Sequence, residues 1–267
     1  MAETAAACIG AVLLDIQGTL LGGDGTPIAG AAEAVRRLKE LGIKVRFVTN
    51  IDSVTVATIV ARLRDAGILA EDAEIFSPIS AAKRFLARQE HARCHLLLPP
   101  SIEPEFVEFR ANGNGVDWVV VGDCREGFTY GRLNAAFRIV KNGAEILALQ
   151  KGRWFVSPSG PSLDTGACVA ALEYGANRQA HVVGKPSTEL IRAALQDVGG
   201  DPFEAVMVGD DICSDVPSAH SAGTRSVLVR TGKFSLSTLE RSEIKPDLLL
   251  DSVADLPAAL AELVAVA

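Results

Sequence analysis

Three groups of polar residues, far apart in the chain, each follow a short apolar run, and the first contains Asp15. The sequence Asp15-Ile16-Gln17-Gly18-Thr19-Leu20 stands at the end of an apolar run that begins at Ala11. An aspartate at the end of a strand, followed by a glycine that lets the backbone turn tightly, can present its carboxylate into a crevice. One carboxylate oxygen can attack phosphorus while the other binds a divalent cation. The simpler alternative is an Asx-type turn that only ends the strand.

The second group is Thr49-Asn50, which follows the predicted strand Lys44–Val48. A hydroxyl and an amide at this position can bind phosphate oxygens without adding charge. The alternative is that one of these residues caps the helix that comes next, since such side chains are favoured at helix N-termini.

The third group consists of Lys185-Pro186 and of Gly209-Asp210-Asp211, completed by Asp215. A lysine supplies the positive charge that lets an anionic nucleophile approach an anionic phosphate. The acids after Val208 can supply the hard oxygen ligands that Mg²⁺ prefers. The alternatives are a solvated lysine beside a turn and acids that stabilise a helix N-terminus.

Short apolar runs alternate with segments of helical periodicity, which predicts an α/β fold with helices packed on a parallel sheet. The predicted strands of this repeating part are Ala11–Ile16, Lys44–Val48, Ala180–Val183, Ala205–Val208, Thr224–Val229 and Leu248–Leu250. Ligands of open α/β sheets bind just beyond the carboxyl ends of the strands. The three polar groups stand at such positions, so we expect them to serve one site.

The middle of the chain, residues 80–178, predicts a second α/β module that is inserted into the first. Its predicted strands are Cys94–Leu98, Trp118–Val121 and Ile146–Leu149, and the stretch Lys151–Asp164, rich in Gly, Pro and Ser, is interpreted as a long loop. The predicted domains are therefore a discontinuous core, residues 1–79 and 179–267, and a second domain, residues 80–178.

The composition argues against several classes of partner. The net charge of −7 and the pI near 5.2 disfavour binding to nucleic acid or to an anionic membrane. Apolar residues make up 48% of the 267 residues, which is enough for a large buried core, and no apolar run is long enough to span a membrane.

The cysteines and the N-terminus favour a cytoplasmic location. The five cysteines are widely spaced and form no CxxC pair: Cys8, Cys94, Cys124, Cys168 and Cys213. This pattern disfavours a disulfide framework or a zinc site and favours a reducing compartment. The segment Met1–Ala7 has no basic region ahead of an apolar stretch, so it does not have the features of a signal peptide.

Taken together, the polar groups resemble the four motifs of the haloacid dehalogenase superfamily, in the same order. The four matching segments are Val12–Leu20, Phe47–Asn50, Val183–Pro186 and Met207–Asp211 with Asp215. The resemblance implies a Rossmann-like parallel-sheet core with an inserted α/β cap domain, and a hydrolase that acts on small phosphorylated substrates.

The resemblance also implies a role for each matching residue. Asp15 would be the nucleophile that forms an aspartyl-phosphate, Thr49 and Asn50 would bind the transferring phosphate, and Lys185 would neutralise its charge. Mg²⁺ would be held by the carboxylate of Asp15, the backbone carbonyl of Gln17 and the carboxylate of Asp210. Asp215 would complete the metal site by ordering waters or Lys185, and Asp211 is left without a fixed role.

The position of the insert is similar to that in the NagD-like class of the superfamily, which has an α/β (C2-type) cap. The segment Ala170–Tyr174 ahead of Gly184-Lys185-Pro186 resembles the end of that cap. Within that class, the chain resembles the subgroup of haloacid dehalogenase-like hydrolase domain-containing protein 2 and phospholysine phosphohistidine inorganic pyrophosphate phosphatase. A homodimer through the cap is a candidate assembly by analogy alone, and the sequence leaves the oligomeric state open.

Gln17 departs from the family pattern. Most phosphatases of the superfamily carry a second aspartate two residues after the nucleophile, which protonates the leaving group and then activates water. An amide cannot act as a general acid or base near neutral pH, so a step worth about 10²–10⁴-fold in rate is missing or is performed by another group.

Three outcomes follow from Gln17. The preferred one is an enzyme for leaving groups that need little protonation, as in phosphoramidates, acyl phosphates or pyrophosphate. In the second, water or another acid substitutes, and the candidates are Asp211, Asp164 and Glu173. In the third, the protein binds phosphorylated ligands or partners with little or no turnover.

A second departure follows Asn50, where Ile51 precedes Asp52-Ser53 instead of the usual small polar residues. An acid that faced the phosphate would repel it. We therefore expect Asp52 to cap the next helix.

Overall fold

The computed structural model describes residues 9–113, 115–157 and 159–265. Cys8 and the segment Met1–Ala7, both considered above, lie outside the described residues. The other four cysteines lie in the described part of the chain and are not joined by disulfide bonds there. Within the described part of the chain, no helix is long and apolar enough to cross a membrane.

The described residues form an alternating series of strands and helices. In chain order these are β1 (Ala11–Leu14), α1 (Ala31–Glu40), β2 (Lys44–Val48), α2 (Val56–Asp65), β3 (Ile75–Phe76), α3 (Pro78–Leu86), β4 (Cys94–Leu97), β5 (Trp118–Val121), α4 (Tyr130–Lys141), β6 (Glu145–Ala148) and β7 (Trp154–Ser157). They continue with β8 (Gly160–Leu163), α5 (Thr165–Ala176), β9 (His181–Val182), α6 (Glu189–Val198), β10 (Ala205–Gly209), α7 (Asp215–Ala222), β11 (Arg225–Val229), α8 (Leu236–Arg241), β12 (Leu248–Leu250) and α9 (Leu256–Ala265).

The chain divides into two compact units. The first contains the described residues of 1–49, 60–76 and 191–267, and the second contains residues 50–59 and 77–190 with the described parts of that range. The divisions therefore fall at 49/50, 59/60, 76/77 and 190/191. The sequence predicts a second domain from 80 to 178, and these boundaries stay a prediction.

The first unit is built on a six-stranded parallel sheet in the order β12-β11-β10-β1-β2-β3. Every residue of β1 and β10 is buried, which explains their continuous apolar runs, because helices cover both faces of a parallel sheet. Leu14 at the end of β1 pairs with Val208 on one side and with Phe47 on the other. The register thus brings the residues that follow β1, β2 and β10 to one edge of the sheet, and the predicted α/β fold class is confirmed.

The second unit is built on a four-stranded parallel sheet in the order β4-β5-β6-β9. Helices α4 and α5 pack against this sheet around an apolar cluster that includes Val119, Ile146, Val169 and Leu172, all fully or almost fully buried. The sequence pattern predicts the strand at Ala180–Val183 as one of the strands of the first unit. That assignment is wrong, because His181 and Val182 pair with β6.

The interpretation of Lys151–Asp164 as a loop is also wrong. Strands β7 and β8 form a two-stranded antiparallel hairpin in which Trp154 pairs with Leu163 and Val156 with Pro161. A two-stranded ribbon has free edges, so it tolerates a proline that a central strand would exclude. Gly160 has φ 110°, a conformation that favours glycine, and it begins the return strand.

Candidate functional site

Three carboxylates lie together at the carboxyl edge of the first sheet. Asp15 follows β1, Asp210 follows β10, and Asp215 is the first residue of α7. One oxygen from each side chain lies within 4.8 Å of the others, and the three side chains are at most 5% exposed. Among the residues that the structure describes, this is the single group of three or more such ligands with metal-site spacing.

Two glycines give the acids room to approach the backbone. Gly18 has φ 88°, and a Cβ at this position would collide with the carboxylate of Asp210. A Cβ at Gly209 would likewise collide with the carboxylate of Asp215. The glycines of the first and fourth motifs are therefore required by close packing of the carboxylates against the main chain.

The electrostatics of the cluster favour a bound cation. Burial raises the pKa of Asp210 well above its ordinary value, and the charges of Asp15 and Asp215 raise it further. A hydrogen bond of 2.6 Å from the backbone N–H of Lys233 to the carboxylate of Asp210 lowers this pKa. Buried carboxylates held this close repel one another unless a positive charge lies between them, and Mg²⁺ prefers oxygen ligands of this kind. The donor set fits a magnesium ion.

The segment after β11 supports this cluster, and sequence reasoning missed it. The hydroxyl of Thr231 donates to the carbonyl of Gly18, and the Nζ of Lys233 lies 3.2 Å from an oxygen of Asp211. Asp211 also accepts a hydrogen bond of 2.8 Å from the backbone N–H of Cys213. Asp211 is therefore engaged beside the carboxylate cluster. The signal was the polar group Thr231-Gly232-Lys233, which begins two residues after the end of the predicted strand Thr224–Val229, the same kind of signal as the other three.

The other predicted residues of the first unit lie at strand ends. Thr49 follows β2, is 1% exposed, and donates its backbone N–H to the carbonyl of Phe76 at 3.0 Å. Gln17 is exposed and forms an isolated bridge with Leu21. No side-chain function of Gln17 is visible in these contacts.

In the second unit, Asn50 and Lys185 are joined by two hydrogen bonds. The backbone N–H of Lys185 donates to Oδ1 of Asn50 at 2.8 Å, and Nδ2 of Asn50 donates to the carbonyl of Lys185 at 2.9 Å. Lys185 follows β9 and is 2% exposed. The structure thus brings together the second and third motifs, which are 135 residues apart.

Asp52 does not cap a helix, so that prediction is wrong. The cap of α2 is Thr55, whose hydroxyl accepts the backbone N–H of Thr58 at 3.3 Å. Asp52 is instead buried and accepts a hydrogen bond of 2.9 Å from the hydroxyl of Thr165, at the start of α5. Burial raises its pKa well above the ordinary value, and the charges of Asp164 and Asp123 add to the shift.

The two second-unit acids named as substitutes for a residue-17 aspartate already have hydrogen-bond partners. Asp164 caps α5 by accepting the backbone N–H of Thr165 and also accepts from Nε2 of Gln150. Glu173 forms an ion pair with Lys151 at 2.6 Å and accepts the backbone N–H of Ala180. Both side chains therefore stabilise the second unit.

Known proteins resemble this chain over nearly its whole length. A family profile described as haloacid dehalogenase-like hydrolase matches residues 12–110, and one described as HAD-hydrolase-like matches residues 182–256. The chain is 40% identical over 249 residues to phospholysine phosphohistidine inorganic pyrophosphate phosphatase of Bos taurus, with 91% of each chain covered. It is 36% identical over 242 residues to haloacid dehalogenase-like hydrolase domain-containing protein 2 of the same species, with 91% and 92% covered.

Two solved structures share the fold. The p-nitrophenyl phosphatase from Archaeoglobus fulgidus has a TM-score of 0.86 and 31% identity, over 94% of this chain and 99% of that one. NagD from E. coli K-12 has a TM-score of 0.82 and 29% identity, over 93% and 98%. These matches confirm the resemblance inferred from the four motifs.

Proposed function

Because the chain belongs to the family of haloacid dehalogenase-like hydrolases, we propose that it is a magnesium-dependent phosphatase that forms an aspartyl-phosphate on Asp15. The observation that supports this most strongly is the group of three buried carboxylates at the edge of the first sheet, with one oxygen of each within 4.8 Å of the others. Such a group is costly without a cation, and the phosphatases named above are relatives of this chain.

The metal would be held by the carboxylates of Asp15, Asp210 and Asp215 and by the backbone carbonyl of Gln17. Mg²⁺ at this place supplies positive charge to the phosphoryl oxygens and to the acids around it. The raised pKa of Asp210 supports this assignment. After burial, the charges of neighbouring acids raise this pKa most, and a bound cation would offset their repulsion.

The chemistry then rests on the side chains of the chain itself. A carboxylate oxygen of Asp15 forms a bond to phosphorus, the bond from phosphorus to the leaving group breaks, and the leaving group departs with the electron pair. Thr49 and Asn50 would bind the transferring phosphoryl group, and Lys185 would neutralise its charge. Water then cleaves the aspartyl-phosphate, which releases inorganic phosphate and restores Asp15.

The substrate class follows from Gln17. Without an acid at this position, turnover is fastest where the leaving group needs little protonation, as in phosphoramidates, acyl phosphates and pyrophosphate. The hydrogen bonds and ion pair that engage Asp164 and Glu173 support this choice over a substitute acid. The relative named for phospholysine, phosphohistidine and pyrophosphate supports the same class. The widely spaced cysteines, which form no CxxC pair, fit a reducing compartment, so the cytoplasm is the proposed location.

Turnover of a matched substrate set tests this proposal. Acetyl phosphate, phospholysine, pyrophosphate and p-nitrophenyl phosphate are compared with glycerol phosphate, an alkyl ester with a poor leaving group, with and without Mg²⁺. We expect Mg²⁺-dependent phosphate release from members of the first group, slow release from glycerol phosphate, and none from the Asp15→Asn variant. Tight binding of phosphate esters without release from any of them would instead favour a non-catalytic phospho-ligand-binding protein.

The Gln17→Asp variant tests the proposed substrate class separately. It restores the aspartate of the family pattern, so we expect a gain of about 10²-fold or more on glycerol phosphate and a smaller gain on acetyl phosphate. Equal rates of the variant and the natural protein on glycerol phosphate would mean that another group already transfers the proton.

A further inference from the structure

The two hydrogen bonds between Asn50 and Lys185 use both ends of one amide. Oδ1 accepts from the backbone N–H of Lys185 at 2.8 Å, and Nδ2 donates to its carbonyl at 2.9 Å. An asparagine side chain offers one carbonyl acceptor and one NH₂ donor, so both of its functional groups bind the main chain of a single residue. This arrangement fixes the backbone of Lys185 on both sides of its Cα.

The contact also explains the glycine that precedes the lysine. A Cβ at Gly184 would lie 2.8 Å from Oδ1 of Asn50 and 2.5 Å from the carbonyl oxygen of Leu149, which is closer than real Cβ atoms approach. Gly184 thus lets the main chain pass between the end of β6 and the amide of Asn50. The Gly184-Lys185 pair and Asn50 form one packed unit.

We propose that Asn50 is a positioning residue that acts through Lys185, and that it is not primarily a phosphate ligand. The inference rests on the proposed function, in which the ammonium of Lys185 neutralises charge on the transferring phosphoryl group. A lysine side chain has a flexible four-carbon stem, so the place of its ammonium depends on where its Cα is held. A positive charge stabilises a transition state most effectively when it is held in position before the reaction begins.

A direct phosphate ligand and a positioning residue differ in one measurable respect. A direct ligand contributes whether or not Lys185 carries its ammonium. A residue that acts through Lys185 contributes nothing once that ammonium is removed. A double-mutant cycle therefore separates the two roles, because it measures whether the two losses add.

The cycle consists of Asn50→Ala, Lys185→Met and the double variant, in the full-length chain with Mg²⁺ and acetyl phosphate. We expect Asn50→Ala to lower kcat by about tenfold to a hundredfold with a smaller change in KM, the scale of a misplaced catalytic group. In the Lys185→Met background the same substitution should change kcat by less than about twofold. A loss that persists undiminished in that background would overturn the inference.

A second variant and a second readout keep the test decisive. Asn50→Asp keeps the Oδ1 acceptor but loses the Nδ2 donor, and any loss that it causes should likewise vanish in the Lys185→Met background. Binding of inorganic phosphate with Mg²⁺, measured by calorimetry, gives the same cycle without turnover. If the natural protein shows Mg²⁺-dependent turnover and the losses add in both assays, this inference alone fails. If it neither turns over substrate nor binds phosphate, the proposed function fails with it.

Discussion

Replacing Asp52 with asparagine should remove a pH dependence from the stability of this protein. Asp52 is 3% exposed, and its carboxyl group accepts a hydrogen bond from the hydroxyl of Thr165. Burial raises its pKa most, the charges of Asp164 and Asp123 raise it further, and the hydrogen bond from Thr165 lowers it. No cation is among these causes, so the folded chain holds Asp52 protonated at pH values where an unfolded chain has lost that proton.

The direction and the size of the effect follow from this difference. An unfolded aspartate has a pKa of about 3.9, and the pKa of folded Asp52 lies well above the ordinary value. The stability that the bound proton contributes is fully present below about pH 3.9 and is lost as the pH rises through the folded pKa. Within that window one extra bound proton makes the free energy of unfolding fall by about 1.4 kcal/mol per pH unit.

Asparagine keeps the shape of the protonated side chain and cannot titrate. Its carbonyl oxygen can still accept the hydrogen bond from Thr165. The free energy of unfolding of Asp52→Asn, minus that of the natural protein, should therefore rise by about 1.4 kcal/mol per pH unit within the window.

Urea denaturation at a series of pH values from about 4 upward measures this difference. The matched control is Asp65→Asn at an exposed position of α2, which removes the same formal charge without the burial. Parallel stability curves for Asp52→Asn and the natural protein, or a loss of stability at every pH, would refute the reasoning.

Three further predictions concern the metal cluster and its supports. Asp210→Asn should weaken Mg²⁺ binding at least tenfold, measured by calorimetry. It should also raise the melting temperature of the metal-free protein, because it removes one of three crowded buried carboxylates. A lower melting temperature would contradict this. Gly18→Ala should cost about 2 kcal/mol or more in unfolding free energy and weaken Mg²⁺ binding, since its Cβ meets Asp210; unchanged Mg²⁺ affinity would count against the packing described. Thr55→Ala should cost about 1 kcal/mol in urea denaturation through loss of the helix cap, and no cost would leave α2 without the proposed cap.

The sequence predicted the structure correctly where the apolar pattern of a segment matches its burial in the folded chain. The runs at β1 and β10 are apolar throughout because both faces of the strands are buried, and this identified Asp15 and Asp210 as residues of strand ends. Neighbouring parallel strands in register then bring such ends together, which the structure shows for Leu14 and Val208.

The sequence was uninformative where the partner is distant in the chain. Asp52 carries the local signal of a helix cap, but its partner Thr165 lies 113 residues away and no local pattern encodes that contact. Strand β9 has two residues, too few to indicate which sheet it joins. In the hairpin of β7 and β8, the Gly, Pro and Ser content of the segment concealed the alternation of exposed and half-buried residues.

The central claim is that Asp15 accepts the phosphoryl group. A single-turnover reaction in heavy-oxygen water, with enzyme in excess over acetyl phosphate, tests this directly by mass spectrometry of the peptide that contains Asp15. Attack of the labelled water at phosphorus places the heavy oxygen in the released phosphate, whereas attack at the carboxyl carbon places it in the Asp15 carboxylate. An acid quench before this hydrolysis traps the phosphoryl group on Asp15. We expect a phosphorylated Asp15 peptide that depends on Mg²⁺ and disappears when more time is allowed. Phosphate release at an undiminished rate from Asp15→Asn, or turnover that never places phosphorus on this peptide, would contradict it.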